Sequence, residues 1–347
     1  MKPATLFCLL IHCCFAGQAQ QVFFKSAPSF GDDLKPFYSS VTVQDSLLLF
    51  NGNDYQLYAY DKYSGRLLWK QYLGWKSNQA PFFVGNAIWA QKGGDKMIQL
   101  DPRTGTYKDL SALYSIETQP VVKDGIAYTT GIYQAGCIVA YDLQADTVRW
   151  HRFLAHGCSV APYYRPDRIV ANAEGDSWLD IGYDGRLLQR GCDTVEVNYP
   201  SELPCTRSFA FLSHDGKEIA EDWVEKEFSL PSSDVSFYAT DRFSFLAGND
   251  RLLVLGDRLK KKANIQLTGL PDSLDQAFYD EPVKILKADD RAIWLLVSDW
   301  LLVYDYLDKK PVRMADLSSW QPHRVLPDGE KLWLISRSDG LLYGLSW

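Results

Sequence analysis

A proline followed by apolar, often aromatic residues recurs along this chain at Pro36, Pro81, Pro120, Pro162, Pro282 and Pro322. The steps are 45, 39 and 42 residues, then a gap of 120, then 40, so the gap holds three periods whose two internal starts lack the marker. Proline is tolerated at the first residue of a strand, where its missing N–H removes no ladder bond. Within each period, strand-like runs alternate with turn formers, and no long helical period interrupts them. The best-formed unit reads Ser46-Leu-Leu-Leu-Phe50, Asn51-Gly-Asn-Asp54, Gln56-Leu-Tyr-Ala-Tyr60, Asp61-Lys-Tyr-Ser-Gly65 and Arg66-Leu-Leu-Trp69. This is strand, turn, strand, turn, strand. The second turn has a mechanism: an Asp side chain accepts backbone N–H groups two residues on, and glycine takes positive φ. The same pattern returns from Asp101 to Gly105 and from Asp142 to Trp150, with echoes at Asp184-Gly185, Asp257 and Asp305.

From Pro36 to Pro322 there are seven intervals of about 41 residues, hence eight units. Four short strands in such a period are the mark of propeller blades. The expected fold is therefore all-β, an eight-bladed β-propeller of four-stranded antiparallel blades. Only 25 residues follow Pro322, too few for an outer strand. The N-terminal segment Gln21-Val-Phe-Phe-Lys25 is expected to supply it, closing the last blade and covering its edge. The stretch from 193 to 234 fits the repeat least well, and 218 to 228 suggests a short helix. Aromatic residues make up 14% of the chain, which suits sheets packed through flat rings.

Residues 1–19 read as a signal peptide: Met1-Lys2, an apolar run from Ala4 to Gly17, and small residues at Gly17 and Ala19. This leaves 20–347 as a single propeller domain, periplasmic or secreted. His12 ahead of Cys13 opposes a lipid anchor, and no later stretch reaches the roughly 20 apolar residues of a membrane span. Of seven cysteines, Cys137, Cys158, Cys192 and Cys205 lie outside the leader. In an exported chain they read as two disulfides. Three connectivities are open, and short separations favour Cys137 with Cys158 and Cys192 with Cys205.

The segments Leu57 to Trp69 and Ile138 to Trp150 resemble the pyrroloquinoline-quinone-type, or quinoprotein-like, propeller repeat in their Asp, Gly and Trp spacing. The structural positions are Asp61, Gly65, Trp69, Asp101, Gly105, Asp142 and Trp150. The resemblance implies a propeller with tryptophans docked between blades. The quinone enzymes of this family are longer and use adjacent cysteines beside the cofactor, whereas here Cys13-Cys14 lies in the leader, so no cofactor is expected. In size the chain is similar to the propeller lipoprotein of the outer-membrane protein assembly machinery.

No hydrolase elbow, phosphate loop or metalloprotease motif is present, and a formal charge of −7 disfavours nucleic acid. His156-Gly157-Cys158 has two residue types that ligate zinc, but the sequence supplies no third ligand, and a disulfide for Cys158 with a solvent-facing His156 is the favoured reading. Phe37, Phe82 and Tyr163 fall early in innermost strands, near the channel mouth; core packing is favoured over ligand contact there. Repeat phase places the four cysteines, His156 and His323 on one rim. Arg258-Leu-Lys-Lys-Lys262 reads as a solvated hairpin. The leading expectation is a monomeric, non-catalytic propeller that binds a protein or peptide partner in the cell envelope, through an edge strand or the cysteine rim, with no metal. The alternative is small-molecule or carbohydrate binding, or a divergent quinone-dependent enzyme, at the channel mouth.

Overall fold

The computed structural model describes residues 20–26, 39–74, 80–93, 96–110, 113, 115–133, 135–173, 178–191, 205–206, 209–267, 270 and 282–346. Its first blade comprises Ser40–Gln44, Leu47–Asn51, Gln56–Asp61 and Leu67–Tyr72, each antiparallel to the next. The middle strands bury nearly every side chain, including Leu48, Leu49, Phe50, Leu57, Tyr58 and Ala59. A blade flanked on both faces needs continuous apolar strands at its centre. On the outer strand Leu67–Tyr72 only Trp69 is buried.

The second blade has the strands Phe82–Val84, Ala87–Lys92, Lys96–Leu100 and Tyr107–Asp109. In the third, Ser115–Ile116 and Val121–Lys123 both pair with Ile126–Tyr133, followed by Ala135–Asp142 and Thr147–Phe153. The fourth runs Tyr163–Tyr164, Arg168–Asn172, Trp178–Gly182 and Leu187–Gly191, with Cys205–Thr206 added in parallel at its edge. The fifth holds Ser236–Ala239, Ser244–Gly248, Arg251–Gly256 and Lys260–Gln266. The sixth holds Lys284–Ala288, Ala292–Val297, Trp300–Asp305 and Lys310–Asp316. The seventh has Pro322–Asp328, Lys331–Ser336 and Leu342–Ser346, and its fourth strand is Gln21–Lys25, antiparallel to Leu342–Ser346 with Lys25 opposite Tyr343. Phe24, Leu48, Tyr60, Trp333 and Leu342 form one core across the junction of first and seventh blades.

The propeller thus has seven blades among the described residues, not the eight expected from the period; five are four-stranded, and the third and fourth each carry one extra short strand. Where an additional blade was expected, the described residues form a two-stranded hairpin, Phe211–Leu212 with Glu218–Ile219, and a helix α1 over Glu221–Phe228. The sequence explains the interruption. After Ile219 its apolar residues recur at helical spacing, and Val224 and Phe228, four apart, form the buried face of α1. Glu221 and Asp222 suit the positive end of the helix dipole, and Ser229 ends the helix at φ 57°. Arg251 and Lys261 of the fifth blade clamp Glu227 of α1 at 2.5 and 2.7 Å. The hairpin joins two cores: Phe209 and Leu212 pack with Val170 and Trp178 of the fourth blade, Ile219 with Leu246 and Leu253 of the fifth.

A candidate binding cleft at the interrupted sector

The turn between third and fourth strands is built alike in several blades. Asp61 Oδ1 accepts the N–H groups of Tyr63 and Ser64, Asp101 those of Arg103 and Thr104, Asp142 those of Gln144 and Ala145, and Asp305 those of Leu307 and Asp308. These bonds hold short, rigid turns. Trp69 Nε1 donates to Pro102 O at 2.8 Å and Trp150 Nε1 to Tyr183 O at 3.1 Å, each tying an outer strand to the next blade's turn.

Between the fourth blade, the hairpin and the fifth blade this regularity fails, and a cleft of about 590 Å3 opens there. Arg165, Arg168 and Asp180 come from the fourth blade, Gly216, Lys217 and Glu218 from the hairpin, and Arg258 and Leu259 from the fifth blade's last turn. The hairpin turn is fixed from within: Ser213 Oγ donates to Asp215 Oδ1 and accepts from the N–H of Lys217, both at 2.7 Å. The N–H of Arg258 donates to Asp215 Oδ2 at 2.7 Å, joining the hairpin to the fifth blade. Arg258 and Leu259 both have positive φ, 54° and 58°, a costly conformation for two consecutive residues with side chains.

Arg165 Nη2 donates to Gly216 O at 2.5 Å, while its Nε is buried without a hydrogen-bond partner. Gly216 is favoured there by a φ of +74°, and a Cβ would crowd the guanidinium carbon at 3.0 Å. Arg168 faces Asp180 at 3.1 Å. Burial holds the Asp180 carboxyl above the usual range, with the Arg168 charge opposing it.

Beside the cleft, His214 Nδ1 lies 3.2 Å from Ser244 Oγ and its Nε2 3.2 Å from Asp257 Oδ1. Three such residues suggest a nucleophilic triad, but Ser244 has 0% exposure and its Oγ already accepts the N–H of His214 at 2.8 Å. A serine sealed in the core cannot meet a substrate, so the arrangement is a latch between hairpin and fifth blade.

The residues expected near the channel mouth are spread over separate blades. Phe82 is half-buried against the core of the second and third blades. Tyr163 packs at 5.4 Å on Trp178, which stacks on Phe209 at 4.6 Å and donates to its carbonyl, so Tyr163 serves the junction with the hairpin. His323 is half-buried near the start of the seventh blade. Phe37 lies outside the described residues, as does the side chain of His156, whose backbone belongs to the 3-10 turn Ala155–Ser159. Cys137 and Cys158, favoured as a disulfide by their short separation, are instead free thiols: Cys137 is buried in the core of the second and third blades, while Cys158 is half-buried in the link between the third and fourth. Cys192 and the side chain of Cys205 lie outside the described residues. Among the described residues no group of three or more His, Cys, Asp or Glu is placed to hold a metal. Of the basic residues of the cleft the sequence singled out Arg258 alone, and read it as part of a solvated hairpin; Arg165, Arg168 and Lys217 were missed. Their signal was the interrupted repeat itself, with Arg165 and Arg168 in the last regular first turn before it and Arg258 in the second turn after it.

A second cleft, of about 790 Å3, lies between the first and second blades and includes Asp45, Leu68, Asn86, Asp101 and Arg103. Both clefts are walled by turns after first and third strands. Successive antiparallel strands place those turns on one rim. Cys137, beside the turn between second and third strands, and Cys158, in the link between blades, belong to the opposite rim.

Residues 22–108 match the family described as outer membrane protein assembly factor BamB, a stretch that includes the closing strand and the first two blades. A search of curated proteins returns no match. Among solved structures, BamB from Moraxella catarrhalis aligns at 12% identity over 89% of this chain and 82% of its own, with a TM-score of 0.44. The computationally designed Ika8 protein aligns at 11% identity over 94% of this chain and 100% of its own, with a TM-score of 0.54. At that identity the likeness to the designed protein speaks to fold alone.

Proposed function

We propose that this protein is a non-catalytic scaffold of the cell envelope that binds a protein or peptide partner on the rim bearing the two clefts. The observation that carries the reading is the sector between the fourth and fifth blades, where a hairpin stands in for a blade and leaves a polar cleft of about 590 Å3 among three rigidly tied turns. Binding surfaces are commonly borne by loops on a rigid scaffold. The match of residues 22–108 to an assembly factor of the outer membrane supports an envelope setting and a protein partner. No helix among the described residues is long and apolar enough to cross a membrane.

The test is site-directed photocrosslinking in the envelope of the source cell. A photoreactive residue at Lys217, beside the cleft, is compared with one at Ile132, which is exposed on the cysteine rim. A discrete adduct from position 217 is the expected result. Adducts only from position 132, or none from either, would overturn the reading.

A further inference from the structure

We infer that the cleft at the interrupted sector recognises a carboxylate-rich peptide segment, an inference that rests on the partner-binding reading above. Four cationic side chains, Arg165, Arg168, Lys217 and Arg258, meet in it within a chain whose formal charge is −7. Two acids also line it, Asp180 and Glu218. Asp180 faces Arg168 at 3.1 Å, so that pair is largely self-compensated. Asp215, exposed at the hairpin turn, is engaged by Ser213 Oγ and the N–H of Arg258, and Asp257 by His214, which leaves exposed Glu218 as the one lining acid set against the remaining cations. Arg165, Lys217 and Arg258 have no carboxylate at ion-pair distance among the described residues. They are the cations available to a ligand.

The Arg165 guanidinium gives the site its direction. Gly216 O takes one Nη2 proton and Tyr183 Oη donates to Arg165 O at 2.6 Å, so both ends of the residue are anchored while Nε stays buried and unpaired. The anchored guanidinium presents the rest of its planar fork to the cleft, and a carboxylate meeting it there forms charge-assisted bonds roughly twice as strong as neutral ones. Lys217 and Arg258 are exposed and positioned to take further carboxylates along an extended segment. Such contacts speed encounter and weaken with salt.

The probe is a fluorescein-labelled alternating Asp-Gly peptide, with its Asn-Gly counterpart as control, titrated by anisotropy against the full chain. The acidic peptide is expected to bind more tightly as salt is lowered, and the neutral one to bind at least about tenfold more weakly. In the doubly substituted Lys217→Gln, Arg258→Gln protein, both changes fall on exposed side chains, so the fold should persist by circular dichroism. There the acidic peptide should lose about tenfold in affinity. Arg165→Gln should do the same, but it also removes the bond to Gly216 O, so the double variant decides. Equal binding of the two peptides, or wild-type affinity in the folded double variant, would overturn the inference. So would inorganic phosphate displacing the peptide at equal concentration, which would mark a site for a lone oxyanion. If position 217 still crosslinks a partner while acidic peptides fail to bind, the scaffold reading stands and this inference falls.

Discussion

Phe24 rests against Gly65 so closely that a Cβ on the glycine would lie 3.0 Å from the ring. Trp69 stands in the same relation to Gly105, and Trp150 to Gly185, where an added Cβ would meet the indole at 2.6 and 2.7 Å. In each case a ring on one blade's outer strand docks on a positive-φ glycine in the next blade's last turn. At the seam where the two ends of the chain meet, phenylalanine takes the part of tryptophan.

Replacing Phe24 by Ala should therefore loosen the ring's closure. The side chain is 8% exposed and packs edge-on to Trp333 and Tyr60. Loss of such a ring costs about 3 kcal/mol. Urea denaturation should show a lower midpoint, and the strand Gln21–Lys25 should become open to proteolysis, while Phe24→Trp should retain closure. An unchanged midpoint in Phe24→Ala would mean that the N-terminal strand contributes nothing to the ring.

Gly185→Ala and Gly125→Ala separate docking from backbone strain. Both glycines have positive φ, 84° and 77°, but a Cβ at 125 meets nothing within 4 Å. Gly125→Ala should cost roughly 1 kcal/mol, the penalty for the left-handed region. Gly185→Ala should cost clearly more, because Trp150 must move and its bond to Tyr183 O is strained. Equal losses in thermal denaturation would show that the indole is not tightly seated.

What the sequence revealed and what it hid follow from these contacts. Trp69 and Trp150 could be placed because docking needs a ring and a glycine at a fixed separation, which leaves a spacing to read. Phe24 could be placed only by counting strands. The blade number failed where the count assumed that every 41 residues make a blade. Between 193 and 234 the marker is missing and the length alone suggests a blade, but Val224 and Phe228 follow a helical period, so local pattern had to outweigh global arithmetic. Arg165, Lys217 and Arg258 have no mutual spacing in sequence, because tertiary packing of three elements brings them together.

The Asp142 carboxyl is held below the ordinary range first by the N–H of Ala145, against the opposing effect of burial, and then by the N–H of Gln144 and the Arg149 guanidinium. A depressed folded value means that its contribution is present above the unfolded value, about 3.9, and is lost as pH falls through the folded one. Asp142→Asn keeps an acceptor for the turn but not the charge facing Arg149 at 2.8 Å. The variant should be less stable than wild type at neutral pH, and the difference should shrink below pH about 3.9. A difference that stays constant down to acid pH would remove the carboxylate from the account.

Burial pushes the Cys137 thiol up to about 12, and it also raises that of half-buried Cys158. The thiolate is the nucleophile, so both should be slow at neutral pH, with Cys137, at 0% exposure, the slower. Alkylation of the native, reduced protein by iodoacetamide, followed by peptide mass mapping, should label Cys158 ahead of Cys137. Denaturant should erase the difference. Faster labelling of Cys137 in the native state would contradict the packing around it.

The contact between His214 and Ser244 predicts a loss of stability and no loss of catalysis. Ser244→Ala removes the acceptor of the His214 N–H inside the core, and an unmet buried donor costs about 1–3 kcal/mol. Because the bond joins the hairpin to the fifth blade, the loss should be local first. Hydrogen exchange should quicken in Phe211–Ile219 and α1 before the strands of the fifth blade respond. Wild type should hydrolyse p-nitrophenyl acetate no faster than denatured protein does. Turnover above that background that vanished in Ser244→Ala would show that the serine reaches substrate after all, and the latch would have to be read as a triad.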